Sequence, residues 1–352
     1  MENTLKNQIG LQQDSRIEWL DIAKGIGIIL VIIGHIFADA TMLPLRKFIY
    51  SFHMPLFFFL SGFLFSTKDI KIKDFLFKRV KTILIPYFIF ALISFLLYVS
   101  AYLFIKKISP GSVVGQDQDI LKLFYGIFYS KAAPGYMSYN VPIWFLTCIF
   151  LVQVIYFILN RIIKNEFIIL GITFILSILS FSFFRNIFLP WSIDAAFIGI
   201  FFFSVGFILK KYKIFEKIPD NKLLLLFISL FLLFITVLIS QFNNEVVLMA
   251  ENKYGNYLLF LLGSFIGTFF IILISLVIRK SIALSFMGKN SMTILGFHML
   301  FIYNFKSVIK VFSGYTYDHI NSSILINLIV LLVTVCLSVI SVIVWNKLYR
   351  LK

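Results

Sequence analysis

The chain has 352 residues, of which 60% are hydrophobic and only 14% charged, with a mean hydropathy of +0.97. An average soluble domain carries about 25% charged residues, and so small a polar set cannot cover a water-facing surface, which excludes a soluble globule. The formal charge of +16 is gathered in short clusters between apolar runs, a topology signal rather than the continuous basic face of a nucleic-acid binder, so no nucleic-acid partner is expected.

A spanning helix needs about 20 mostly apolar residues. Runs of that kind fall near 20–39, 47–66, 83–105, 141–160, 167–184, 191–209, 222–241, 256–278, 291–312 and 323–345. They are continuous rather than alternating, which excludes a β-barrel. The fold class read from this pattern is all-α, a polytopic membrane protein of about ten transmembrane helices forming one domain over residues 1–352. The first run follows a polar segment, 1–19, and the Ala38-Asp39-Ala40 triplet has the look of a signal-peptidase site. The polar lead is long and His35 interrupts the apolar stretch, so a retained first helix is expected.

With the N-terminus placed in the cytoplasm, the segments assigned to the inside carry roughly twice as many Lys and Arg as those assigned outside. Both termini are therefore read as cytoplasmic, the loop 67–82 as cytoplasmic and the loop 106–140 as external, in a bacterial cell membrane. The external loop shows no obvious helix, and a connection of that length is often functional. Gly263 and Gly267 read as a helix-packing pair. Cys148 and Cys336 lie in apolar runs without a partner motif and read as buried small hydrophobes. The lack of an internal repeat argues against an inverted-repeat transporter.

Ionisable groups inside a membrane are costly and mark function by default. Three of the four histidines, His35, His53 and His298, fall within spans. At 1.5 Å rise per residue His35 sits about 22 Å from the inner boundary, His53 about 9 Å below the outer one, and His298 about 12 Å above the inner one. They are placed to line one path toward the outer face. Asp39 follows His35 by four residues, which on a continuous helix puts a carboxylate beside the imidazole, as a general base requires. Lys24 precedes His35 by eleven residues on nearly the same face, shallow enough to snorkel or to meet an anionic ligand, with Asp21 one turn earlier.

Four blocks carry a resemblance to a known family. The first runs from Arg16 through Asp21, Lys24 and Gly27 to Gly34-His35. The second is Phe52-His53-Met54-Pro55-Leu56-Phe57 followed by Ser61-Gly62-Phe63. The third is Trp144-Phe145-Leu146, and the fourth is Gly288-Lys289-Asn290-Ser291-Met292 followed by His298. The chain resembles acyltransferase family 3, the membrane O-acyltransferases of surface polysaccharides, especially its fucose 4-O-acetylase-like branch. The Lys24-x10-His35 spacing matches the family's R/K-x10-H signature. The resemblance implies an acyl-CoA donor, acetyl-CoA or similar, on the cytoplasmic side and a sugar hydroxyl as acceptor, with no metal. It implies catalysis at the position of His35 and donor binding at that of Lys24. The family's RxxR-like pair corresponds to Lys78-Arg79-Val80-Lys81, a departure from the pattern, although Arg79 and Lys81 still suit the phosphates of coenzyme A.

Acyl transfer needs a base for the hydroxyl and donors for the oxyanion. His35 is the expected base, with Asp39 orienting it and His298 next in line. Ser61, Trp144 and His298 are expected donors, and His53, Ser61 and Trp144 are expected to face the substrate. No GxSxG elbow is present, and direct transfer and an acyl-histidine route both stay open. Expected partners are membrane lipid, a carbohydrate acceptor and proteins of polysaccharide synthesis or export. The competing class is a polysaccharide exporter or flippase, which needs neither the Lys24–His35 spacing nor a basic cytoplasmic loop.

Overall fold

In lipid an unpaired amide finds no water, so a single chain segment crosses only as a helix that satisfies its own backbone. The apolar runs obey this in a computed structural model that describes residues 18–39, 42–66, 70–108, 119–132, 136–185 and 187–349. The helices are α1 (Glu18–Ile36), α2 (Leu43–Leu64), α3 (Ile72–Arg79), α4 (Ile85–Ile108), α5 (Ile120–Tyr129), α6 (Trp144–Ile162) and α7 (Glu166–Phe183). They continue with α8 (Ile193–Lys211), α9 (Lys222–Phe242), α10 (Tyr257–Ile278), α11 (Ile282–Lys289), α12 (Ser291–Ser313), α13 (Tyr317–Ser322) and α14 (Ile324–Tyr349). Among the described residues ten stretches are long and apolar enough to cross a membrane, with α3, a π-helical turn at Val80–Leu84 and most of α4 forming one of them.

The spans differ in how much protein surrounds them. In α2, α6 and α8 the apolar stretch is 72% buried and in α1 61%, whereas in α9 and α14 it is 22%. The first four form the centre of the bundle, and α9 and α14 turn most of their surface to lipid. Close approach of backbones holds the centre together. A Cβ on Gly62 would lie 1.9 Å from the Phe203 carbonyl oxygen and one on Gly206 2.1 Å from that of Phe59, so α2 and α8 cross backbone to backbone. Likewise a Cβ on Gly25 would meet the Leu284 carbonyl oxygen at 2.1 Å and one on Gly288 that of Asp21 at 1.8 Å, which seats α11 against the start of α1. Gly267 makes room for the Phe52 ring, consistent with a packing role for that glycine. Asn346 near the end of α14 donates to Asn290 at 3.1 Å, beside the Gly288 contact with α1. The start of α1 and the end of α14 therefore share one side of the bundle, called the terminal face below; α1 ends and α2 begins toward the opposite, far face.

Three local expectations differ from the structure. The segment 106–140 contains a helix after all, α5, because Asp119 caps it by accepting from Leu121 and Lys122 and because Leu123, Gly126 and Ile127 bury one face; residues 109–118 and 133–135 of this segment lie outside the described residues. Cys148 is buried, but Cys336 is exposed, since α14 buries only a narrow stripe. Helix α1 stops at Ile36 and does not continue through Asp39.

Candidate active site

Three helices each contribute one stripe of side chains to an internal slot of about 220 Å³. From α1 come Lys24, Ile28 and Val31; from α2 Leu64, Ser61, Phe57 and Met54, with Leu60 beside them; from α12 Ser291 and Leu295, with Met292 beside them. These spacings of three and four residues keep each set on one helix face. The π-helical turn adds Ile83, and α6 adds Phe145, Leu146, Ile149 and Gln153. The slot is apolar along most of its length and polar where Lys24, Ser61, Gln153 and Ser291 enter it. Gln153 donates to the Ser61 hydroxyl at 2.9 Å, and its carbonyl oxygen Oε1 is buried with no hydrogen-bond partner among the described residues.

Continued by one more step toward the far face, the stripes reach His35 on α1, Tyr50 on α2 and His298 on α12. The three side chains meet. The His35 and His298 rings lie 5.5 Å apart, centroid to centroid, and the Tyr50 hydroxyl is 3.5 Å from His35 Nδ1 and 3.5 Å from the Gly34 carbonyl oxygen. The Tyr50 ring in turn lies 4.7 Å from that of His53, and Arg46 stands over its other surroundings, 5.3 Å from the ring centre. Tyr50 thus joins His53 to His35, and His35 meets His298 directly, so the three imidazoles form one cluster.

Backbone carbonyls decide how two of the imidazoles are presented. A carbonyl oxygen only accepts, so the ring nitrogen facing it carries the proton. His53 Nδ1 donates to the Ile49 carbonyl at 2.9 Å, and His298 Nδ1 donates to those of Ile294 and Leu295 at 3.0 and 3.1 Å. In the neutral ring each Nε2 is then left with a lone pair. His298 Nε2 is buried and has no partner among the described residues. His298 was expected among the oxyanion donors; its fixed tautomer makes it a hydrogen-bond acceptor instead.

The remaining predicted residues fall into place unevenly. Lys24 and Ser61 line the slot, and Lys24 also pairs with Asp21 at 3.6 Å. Trp144 is buried at the start of α6 and does not line the slot, although its neighbours Phe145 and Leu146 do. The pairing of Asp39 with His35 presupposed a helix that ran through both. Beyond Ile36 the four-residue periodicity no longer directs the side chain. Arg79 stacks over Phe65 and Phe75 at 5.8 and 5.1 Å, with its Nε buried and without a hydrogen-bond partner among the described residues; Lys81 is exposed on the π-helical turn.

Phe65 also borders a second cavity, of about 470 Å³ at the terminal face, with Ser66, Asn160, Lys164, Lys210 and Lys211. The two cavities follow one another along the same helices, Ser61 to Phe65 at the end of α2 and Gln153 to Asn160 on α6. Lys211 pairs with Glu166 at 2.8 Å, and Lys210 donates to the Phe65 carbonyl at 3.2 Å. Sequence reasoning passed over these lysines because clusters at helix ends read as topology signals. It also passed over Tyr50, an ordinary aromatic in an aromatic-rich run, and Lys306, whose place within an apolar span is the signal that would have found it.

The fold and site together define an integral membrane protein with an imidazole cluster about one helical turn beyond a mostly apolar slot. Residues 17–343 match the family model for an acyltransferase domain, and the chain belongs to acyltransferase family 3. It is a membrane acyltransferase. No curated protein and no solved structure matches it.

Proposed function

We propose that the protein transfers an acetyl or similar acyl group from acyl-coenzyme A to a hydroxyl of a surface polysaccharide or lipid-linked sugar, in a bacterial cell membrane with the terminal face toward the cytoplasm. The observation that carries this reading is the convergence of the slot's three stripes on His35, Tyr50 and His298. From Lys24 to Val31 the slot rises about 10 Å along α1, with His35 one helical turn further on, and a mostly apolar passage leading toward that imidazole suits a linear acyl-pantetheine arm. The nucleotide end of the donor carries several negative charges, and cations at the terminal face answer them: Lys24 at the slot, then Arg79 and Lys81, with Lys164, Lys210 and Lys211 around the second cavity. Likeness to the fucose 4-O-acetylase-like branch supports a sugar as the acceptor.

In this mechanism the acceptor hydroxyl enters from the far face between the two imidazoles. His35 takes its proton as the oxygen attacks the thioester carbonyl carbon, and the lone pair on His298 Nε2 holds the sugar in place by accepting a hydrogen bond from a neighbouring hydroxyl. Collapse of the tetrahedral adduct breaks the carbon–sulfur bond, and the imidazolium returns its proton to the departing thiolate. Tyr50 holds His35 by its Nδ1 edge. His53 supports the Tyr50 ring.

The test is an assay of purified protein in liposomes with acetyl-coenzyme A labelled in the acetyl group and methyl fucoside or isolated bacterial polysaccharide as acceptor. Label in the ester, dependent on His35, is expected. A protein that moves the polysaccharide across the vesicle membrane but transfers no label would establish the exporter reading instead.

A further inference from the structure

Lys306 is buried in α12, two helical turns beyond His298, with only 7% of its surface exposed. Its Nζ donates to the Ile36 carbonyl oxygen at 3.0 Å and to Asn321 Oδ1 at 2.9 Å. Ile36 is the last residue of α1 and the residue that follows His35. The final carbonyls of a helix have no partner within it and carry its negative dipole end, so a cation there is favoured twice. Asn321 belongs to α13, and its own carbonyl accepts from Asn327 of α14 at 2.6 Å. A single ammonium thus joins the end of α1 to α12 and, through α13, to α14.

We propose that Lys306 is a positioning residue, which locks the last turn of α1 against α12 and so sets the spacing of His35 and His298. The proposal deepens the acyl-transfer reading and rests on it for its kinetic arm only. The reasoning is geometric. His35 and His298 sit on different helices, and their separation depends on the register of α1 against α12. Van der Waals contact between smooth apolar faces resists sliding weakly, whereas a charged donor with two fixed acceptors allows one register. In an apolar surrounding the alternative, a buried ammonium and a bare helix-end carbonyl without partners, costs several kcal/mol. The lock acts one residue from the proposed base, where displacement matters most to catalysis.

The experiment uses the full chain with Cys148 and Cys336 replaced by Ala. In a His35→Cys, His298→Cys background the yield of cross-linking by the shortest bis-methanethiosulfonate reagent reports the separation of the two positions without any need for activity. Lys306→Met should lower that yield several-fold and Lys306→Arg, which can donate to the same carbonyl, should restore it. In the background that retains both histidines, Lys306→Met should lower kcat for acyl transfer by about 10²-fold, the cost of an ångström-scale misplacement, while KM for acetyl-coenzyme A stays within about twofold because the donor cations are untouched. Unchanged cross-linking in a folded Lys306→Met protein overturns the proposal. Should Lys306→Met fail to insert, Asn321→Ala, which frees the ammonium from one of its two acceptors, must lower the yield by a smaller factor, and a wild-type yield there overturns the proposal equally. Loss of cross-linking in a protein that shows no acyl transfer with any background would leave the lock standing and sink the acyl-transfer reading alone.

Discussion

His298 Nδ1 donates to the Ile294 and Leu295 carbonyls of its own helix, and this leaves Nε2 without a partner among the described residues, in a buried site 5.5 Å, ring centre to ring centre, from His35. The backbone of α12 therefore chooses the tautomer, and the chemistry available at the cluster follows from it. His35 is held by a side chain, Tyr50, which can give or take a proton.

Removing His35 is the most direct test of that division. His35→Ala should reduce acyl transfer about 10²–10⁴-fold, the range for loss of a general base, with the protein still inserted and monodisperse. His35→Gln keeps hydrogen bonding without basicity and should be nearly as inactive. His298→Gln should lose less, since an amide oxygen can still accept a hydrogen bond from a neighbouring sugar hydroxyl. A His35→Ala protein with near wild-type transfer would remove His35 from the mechanism and make His298 the base.

Tyr50→Phe removes the hydroxyl that meets His35 Nδ1 and leaves the ring against His53. The expected result is a fall in kcat of about tenfold, one neutral hydrogen bond's worth, with KM for the donor unchanged. Equal kcat in the two proteins would show that His35 is held by packing alone.

At the donor end, Arg79→Gln with Lys81→Gln, and separately Lys164→Gln with Lys210→Gln, should raise the apparent KM for acetyl-coenzyme A more than they lower turnover at saturation, because a distant phosphate contact binds ground state and transition state alike. Added salt should weaken donor binding in the wild type more than in either double variant. The pair whose substitution leaves KM alone serves topology only.

The orientation can be read chemically. In a chain lacking Cys148 and Cys336, single cysteines at Lys122 and Ser313 should react with an impermeant thiol reagent added to intact cells, and cysteines at Lys71 and Asp220 should not. Swapped labelling would turn the molecule over and move the donor site to the outside.

The buried pair of Lys131 and Asp194, 2.5 Å apart with neither side chain exposed, ties the segment after α5 to the start of α8. Breaking such a pair from one side costs about 3–5 kcal/mol because the other charge is left uncompensated. Asp194→Ala should lower the unfolding temperature in detergent markedly, and Lys131→Met combined with Asp194→Leu should recover most of the loss. A single variant as stable as the wild type would mean that water reaches the site.

What the sequence by itself determined was the set of spans and the chemistry-bearing residues within them. Lipid enforces both: a run of apolar residues can cross only as a helix, and a histidine or lysine within it stands out because it is expensive there. Periodicity along α1 also placed Lys24 and His35 on one face, since that relation needs nothing beyond the helix itself. The limits appear where a helix ends or meets another. Asp39 was legible as His35's neighbour only while α1 was taken to continue, and the true end at Ile36 comes with an ammonium donated from α12, a residue remote in sequence. Tyr50 and Gln153 were invisible as site residues because nothing in their own segments distinguishes them from packing. Only the crossing of α1, α2, α6 and α12 brings Gln153 to the slot and Tyr50 to the histidines beyond it, and where α1 crosses α2 that depends on close contacts such as Gly27 on Leu56 and Phe57 and Gly34 on Tyr50, which no single-helix pattern records.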